Sequence, residues 1–136
     1  MTDINAALGI SQFKRLDKIC EKRNFLLKRY KENITTKKIS FLEIPFDCIS
    51  SVHLCIIKLN KSDKVLHKEF FEYFKNNKIG VQLHYAPIHL QPYYRNLGFN
   101  EGYLPNSEAY ANQAISIPLY PELTKNEQDF IIKKTN

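Results

Sequence analysis

The stretch Gly80-Val81-Gln82-Leu83-His84-Tyr85-Ala86-Pro87-Ile88-His89-Leu90-Gln91-Pro92-Tyr93-Tyr94-Arg95 gathers two His, three Tyr, two Gln and one Arg into sixteen positions. It opens on an alternation. Val81 and Leu83 fall on one face and Gln82 and His84 on the other, the period of two that a strand shows when one side meets a core. Pro87 ends that strand, leaving His84 and Tyr85 at its tip. Strand ends and the loops after them are where α/β domains carry function. The side chains here are hydrogen-bond donors and acceptors with stacking faces, suited to a polar planar or sugar-like ligand. The same aromatics suit plain packing on a core, and residue chemistry alone leaves both readings open.

The flanking sequence frames this stretch in short elements. Thr2 or Asp3 caps a helix with apolar positions at Ile4, Leu8, Leu16, Ile19, Leu27 and Tyr30, fading near Asn33. Gly9 costs such a helix about 1 kcal/mol relative to Ala, so it is expected to mark a close packing contact. Residues 34–50 read as a loop with a short extended piece at 41–44. Residues 52–59 read as a strand. Ser62 or Asp63 caps a second helix with Leu66, Phe70 and Phe74 on one side, and Gly80 supplies the turn after it. Residues 90–96 form a short helix stopped by Gly98. Pro105 starts another, with Glu108 in its first turn. Residues 114–117 read as a strand closed by Pro118 and Pro121. Thr124-Lys125-Asn126-Glu127 is a capping box for a last helix through Lys133. The order αβαβαβα predicts a small α/β sandwich, helices over a sheet of about three strands, as a single domain over 1–136 in which 1–33 is a connecting helix and 34–136 the sandwich.

Composition narrows the function classes. The chain has 136 residues, 43% of them hydrophobic, enough to bury a core. The longest apolar run, residues 52–57, is interrupted by His53 and is far shorter than a membrane span. The opening Met1-Thr2-Asp3-Ile4-Asn5 lacks the basic-then-apolar pattern of a secretory signal. With three cysteines that form no CxxC pair, this predicts a cytoplasmic protein. Of the 20 Lys and Arg behind the net charge of +6, many cluster between Lys14 and Lys38, interleaved with Asp17, Glu21 and Glu32. That is the pattern of a solvated helix face, and no basic-aromatic motif of a nucleic-acid module accompanies it. Cys48, His53, Cys55 and His67 match no zinc spacing, so no metal is predicted. There is no G-x-G-x-x-G or Walker loop.

Three stretches in order resemble the DegT/DnrJ/EryC1/StrS aminotransferase family. Met1-Thr2-Asp3-Ile4-Asn5-Ala6-Ala7-Leu8-Gly9, with Ser11-Gln12 and Leu16, is similar to the family's helix leading out of its large domain. Residues 80–95 resemble its "GIGV-x-x-HY-x-P-x-H-x-Q-x-YY" segment. Ala114-Ile115-Ser116-Ile117-Pro118-Leu119-Tyr120-Pro121, with Leu123-Thr124, is similar to "LSLPLYPGLT". The likeness covers essentially the whole chain. The wording of 84–95 is similar to the branch serving pseudaminic acid and spore-coat polysaccharide synthesis.

The resemblance implies the small C-terminal α/β domain of a fold-type I enzyme that uses pyridoxal phosphate, a long N-terminal helix plus a short sheet covered by helices. The implied activity transfers an amino group from glutamate to a 4-keto UDP-sugar for surface polysaccharide or glycan biosynthesis. His84, Tyr85 and His89 would line the substrate side and hydrogen-bond sugar hydroxyls or phosphates, with Gln82 beside His84. Tyr93, Tyr94 and Arg95 would stand behind them or pack. The family's Schiff-base lysine, its acidic partner for the pyridine nitrogen and its phosphate-binding hydroxyls have no matching position here. The chain alone is therefore expected to bind no pyridoxal phosphate and to be inactive. A homodimer or self-association is expected, with Ile4, Leu8 and Phe13 exposed, and no nucleic-acid or membrane partner. A basic surface would help attract an anionic nucleotide sugar. The alternative is a non-catalytic module that binds a sugar nucleotide or docks on a separately encoded large domain.

Overall fold

β2 (Cys55–Leu59) turns Cys55, Ile57 and Leu59 inward and leaves Ile56 and Lys58 half-buried, the alternation of a strand with one face on the core. In the computed structural model, which describes residues 1–136, β2 is the centre of a three-stranded antiparallel sheet of order β1-β2-β3. β1 (Ile39–Phe41) pairs with it in the register Ile39 opposite Leu59, and β3 (Ala114–Ile117) in the register Ile57 opposite Ile115. All four residues of β3 are buried. The core gathers Leu26, Leu27 and Tyr30 from α2 (Leu16–Asn33), Phe74 from α3 (Lys64–Asn76), and Ile131 and Ile132 from α6 (Lys125–Thr135) against this sheet. The fold is the α/β architecture expected, helices over a small sheet. The third strand, however, is residues 39–41, slightly earlier than the extended piece expected at 41–44. Residues 81–84 are no strand: only Gln82 pairs, in an isolated antiparallel bridge to Ser116.

The single N-terminal helix expected over 2–33 is two. α1 (Asp3–Phe13) is capped by Thr2, whose hydroxyl accepts from the Asn5 amide. A turn at Lys14-Arg15 follows, closed by Arg15 N–H donating to the Gln12 carbonyl, and α2 then resumes. Neither proline nor glycine marks the break. α1 buries no residue, and Ile4, Leu8, Ile10 and Phe13 are exposed. Gly9 accordingly marks no close contact: nothing lies within 4 Å of where its Cβ would stand.

α3 is capped by Asp63, whose carboxylate accepts from the Val65 and Leu66 amides. Its buried stripe runs through His67 and Phe74, with Phe70 and Phe71 half-buried, whereas Leu66 is exposed. The stripe is rotated from the expected one because His67 Nε2–H donates to the Ala114 carbonyl at 3.0 Å, holding that position inward. The turn after α3 is made by Lys78, not Gly80. Lys78 has φ +59°, and the Ile79 amide closes back on the Phe74 carbonyl at 3.0 Å, while Gly80 adopts no positive φ. A non-glycine residue in this left-handed conformation is disfavoured. Lys78→Gly should therefore stabilise the chain by about 0.5–1 kcal/mol after the added flexibility of the unfolded chain is counted. A higher urea midpoint at unchanged slope is the expected readout; a lower midpoint would refute it.

The last helix starts on the expected capping box. Thr124 Oγ1 accepts from the Glu127 amide, and Glu127 in return accepts from the Thr124 amide. α6 is tied to α2 by Gln128, whose side chain donates to the Leu26 carbonyl and accepts from Arg29. No helix is long and apolar enough to cross a membrane.

Candidate functional site

Residues 80–95 leave the sheet at its β3 edge. Gln82 and Ser116 exchange both backbone hydrogen bonds, at 3.1 and 2.9 Å. That bridge is the last fixed point before the loop. Val81 is buried, but Leu83 is 42% exposed and does not face the core as the alternation required. The alternation persists only as far as a strand is paired, and pairing stops at Gln82. Beyond it, the half-buried His84 turns its Nδ1 to the Ser116 hydroxyl at 2.8 Å. The Tyr85 ring stands edge-on to the His84 ring, centroids 4.8 Å apart, and is 75% exposed. The Gln82 side chain is exposed. The structure thus brings Gln82, His84 and Tyr85 to one sheet edge.

His89 lies apart from that group. It sits in a 3-10 turn (Ile88–Leu90), is only 5% exposed, and its Nε2–H donates to Glu108 at 2.9 Å. Glu108, in α5 (Pro105–Ala111), also accepts from the Gly102 amide through both oxygens and from the Leu104 amide. One carboxylate therefore joins the loop before α5 to the turn carrying His89. Arg95, in α4 (Pro92–Asn96), ties the same region together by donating to the Leu90 carbonyl and pairing with Glu101. Tyr93, Tyr94, Phe99 and Tyr103 form a chain of edge-on rings, in which Tyr93 and Tyr103 are largely exposed. Sequence reasoning saw Glu108 only as a first-turn acid and missed its link to His89.

The Gly102 amide, and after it His89, hold the Glu108 carboxyl below its usual range. A carboxyl with a depressed folded-state pKa contributes stability that is present above its unfolded pKa and lost as pH falls through the folded one. Glu108→Gln should therefore be less stable than the parent at neutral pH, with the gap narrowing below the ordinary glutamate value of 4.5. Urea midpoints from pH 7 down to 3 test this; a gap that stays constant would show that the ionised form plays no part.

Between α3 and the loop lies an open cleft of about 590 Å³. α3 contributes Lys64, His67, Lys68 and Phe71 to its lining, the loop contributes Leu83, Tyr85 and Pro87, and α5 contributes Glu108. Both signs of charge line it. The cysteine and histidine group noted in the sequence is dispersed. Cys48 is exposed, His53 Nδ1 pairs with Arg23 at 3.1 Å, and burial pushes the Cys55 thiol up to about 12. No three His, Cys, Asp or Glu side chains are grouped so as to hold a metal ion.

The sequence profile described as "DegT/DnrJ/EryC1/StrS aminotransferase family" matches residues 1–136. The spore coat polysaccharide biosynthesis protein SpsC of Bacillus subtilis is 32% identical over 98% of this chain and 35% of its own length. Among solved structures, the sugar aminotransferase Spr1654 of Streptococcus pneumoniae in its PLP form superposes with a TM-score of 0.87 at 29% identity, covering 99% of this chain and 35% of that one. Helicobacter pylori PseC, described as an aminotransferase of pseudoaminic acid biosynthesis, superposes with a TM-score of 0.90 at 26% identity, covering 99% and 36%. The chain spans about a third of the length of the curated relatives it matches.

Proposed function

The chain belongs to the DegT/DnrJ/EryC1/StrS aminotransferase family, and from that premise we propose that it is the substrate-side domain of an enzyme that moves an amino group from glutamate to a 4-keto UDP-sugar destined for a surface polysaccharide or glycan. Residues 1–33 would connect to the cofactor-carrying part and 34–136 would form the small α/β domain. One observation carries the reading. In a chain matched by the family from end to end, His84 and Tyr85 stand together at the sheet edge with the exposed Gln82, fixed from behind by Ser116. These groups would bind and orient the nucleotide sugar through hydrogen bonds to its hydroxyl or phosphate oxygens. His89, buried and engaged with Glu108, would act by holding the loop in shape. The relatives' own descriptions, with a pneumococcal PLP form and pseudoaminic acid and spore-coat roles, support a cofactor and sugar of these classes.

Pyridoxal phosphate does not fit the residues of this chain alone. An anchoring lysine is held in an enclosed, desolvated pocket that lowers its proton affinity, and no lysine here is buried. The cofactor would sit in the remaining two-thirds of a family member, against which the exposed Ile4, Leu8 and Phe13 of α1 would pack; a homodimer would use the same region.

The test joins this chain to the cofactor-carrying region of a family member and supplies glutamate and a 4-keto UDP-sugar. Formation of the amino sugar is the expected result. The 136-residue chain alone, mixed with pyridoxal phosphate and reduced with borohydride, should show only scattered lysine labelling by mass spectrometry. A single stoichiometric adduct on the isolated chain, or no amination by the joined protein, would overturn the proposal.

A further inference from the structure

Ser116 is a polar residue inside an otherwise apolar strand, 7% exposed, and its hydroxyl has one partner, His84 Nδ1. Its backbone is committed to Gln82 in both directions. We propose that Ser116 is the positioning residue for His84: its hydroxyl donates to Nδ1 and so fixes the ring in the tautomer that carries its proton on Nε2. Two arrangements satisfy a 2.8 Å contact between a hydroxyl and a ring nitrogen. If Nδ1–H donated to the hydroxyl oxygen, the hydroxyl's own proton would need a second acceptor, and Ser116 has none. A buried donor without a partner is costly, whereas an unused hydroxyl lone pair costs little. The hydroxyl therefore donates, and Nδ1 accepts.

The consequence falls on the other nitrogen. His84 Nε2 makes no hydrogen bond within the chain, and it is not among the buried side-chain atoms that lack a partner. It is thus open to an incoming group and, in this tautomer, is an N–H donor. His89 differs: Glu108 occupies its Nε2, and its Nδ1 is buried without a partner. His84 would consequently select a ligand atom that accepts, such as a carbonyl, hydroxyl or phosphate oxygen, and reject an analogue offering only a donor there. That consequence rests on the proposed role of His84 in holding the nucleotide sugar; the tautomer does not.

The ring nitrogens of 15N-histidine-labelled 136-residue chain report the tautomer directly, because protonated and unprotonated nitrogens resonate far apart. At about pH 8, His84 should show one protonated nitrogen, Nε2, and one unprotonated, Nδ1. In Ser116→Ala the two signals should move towards each other as both tautomers are populated, and Ser116→Thr, which keeps a hydroxyl, should restore their separation. A parent chain protonated on Nδ1, or an alanine variant with unchanged signals, would overturn the proposal; should the variants not fold, the parent spectrum decides alone. Because no substrate enters this measurement, its failure is separate from a failure of the proposed function, which the amination assay reads.

Discussion

On the proposed function, His84→Ala in this chain joined to a cofactor-carrying region should lower kcat/KM for the nucleotide sugar roughly ten- to hundredfold, with cofactor binding near normal. The magnitude follows from removing one hydrogen bond to a charged or strongly accepting oxygen, worth about 1.5–3 kcal/mol. The cofactor is spared because His84 stands at the free end of the sheet edge with Tyr85, in a domain with no buried lysine of its own. The substitution also strips Ser116 of its hydroxyl partner, a cost to stability of about 1 kcal/mol. Stability and turnover must therefore be measured on the same preparation. A variant that unfolds several degrees earlier yet keeps its kcat/KM would show that His84 is a packing residue and would remove it from the substrate site.

The parts of this molecule legible in the sequence are those whose cause is local. The Thr124-to-Glu127 capping box, the Asp63 cap and the apolar strands at 55–59 and 114–117 depend on neighbours a few residues away. What escaped depends on partners distant in the chain. Leu83 reads as a core residue until one knows that pairing ends at Gln82. His67 falls outside the expected stripe of Leu66, Phe70 and Phe74 until the Ala114 carbonyl, 47 positions away, claims it. The same holds for the site: His84 and Tyr85 stand out by composition, but Ser116 behind one and Glu108 behind His89 are set by the fold. A lone serine between Ile115 and Ile117 was the available signal, since an apolar strand admits a polar side chain chiefly where it has a partner. Lys78 escaped for another reason. The left-handed turn it occupies would favour glycine, and Gly80 two positions later drew the assignment.

Phe74→Ala should cause the largest loss of stability of any change considered, about 3–5 kcal/mol. Phe74 is fully buried, lies tilted against Phe70 with ring centroids 4.6 Å apart, and belongs to the cluster that joins α3 to the sheet. Truncation removes the transfer energy of the ring and leaves a cavity that a close-packed interior refills only partly. For a chain of this length the melting temperature should fall by roughly 10–20 °C. Tyr73→Ala, one position away on the exposed side of the same helix, should cost less than about 1 kcal/mol, which separates the cavity from the change of helix propensity that both substitutions share. Phe74→Leu, keeping much of the volume, should fall between the two. The effect should reach the candidate site, because the Phe74 carbonyl receives the Ile79 amide where the chain turns towards Val81 and Gln82, and α3 supplies the Lys64, His67 and Lys68 wall of the cleft. Equal losses in Phe74→Ala and Tyr73→Ala would mean that α3 is held by its backbone alone and that the core does not anchor that wall.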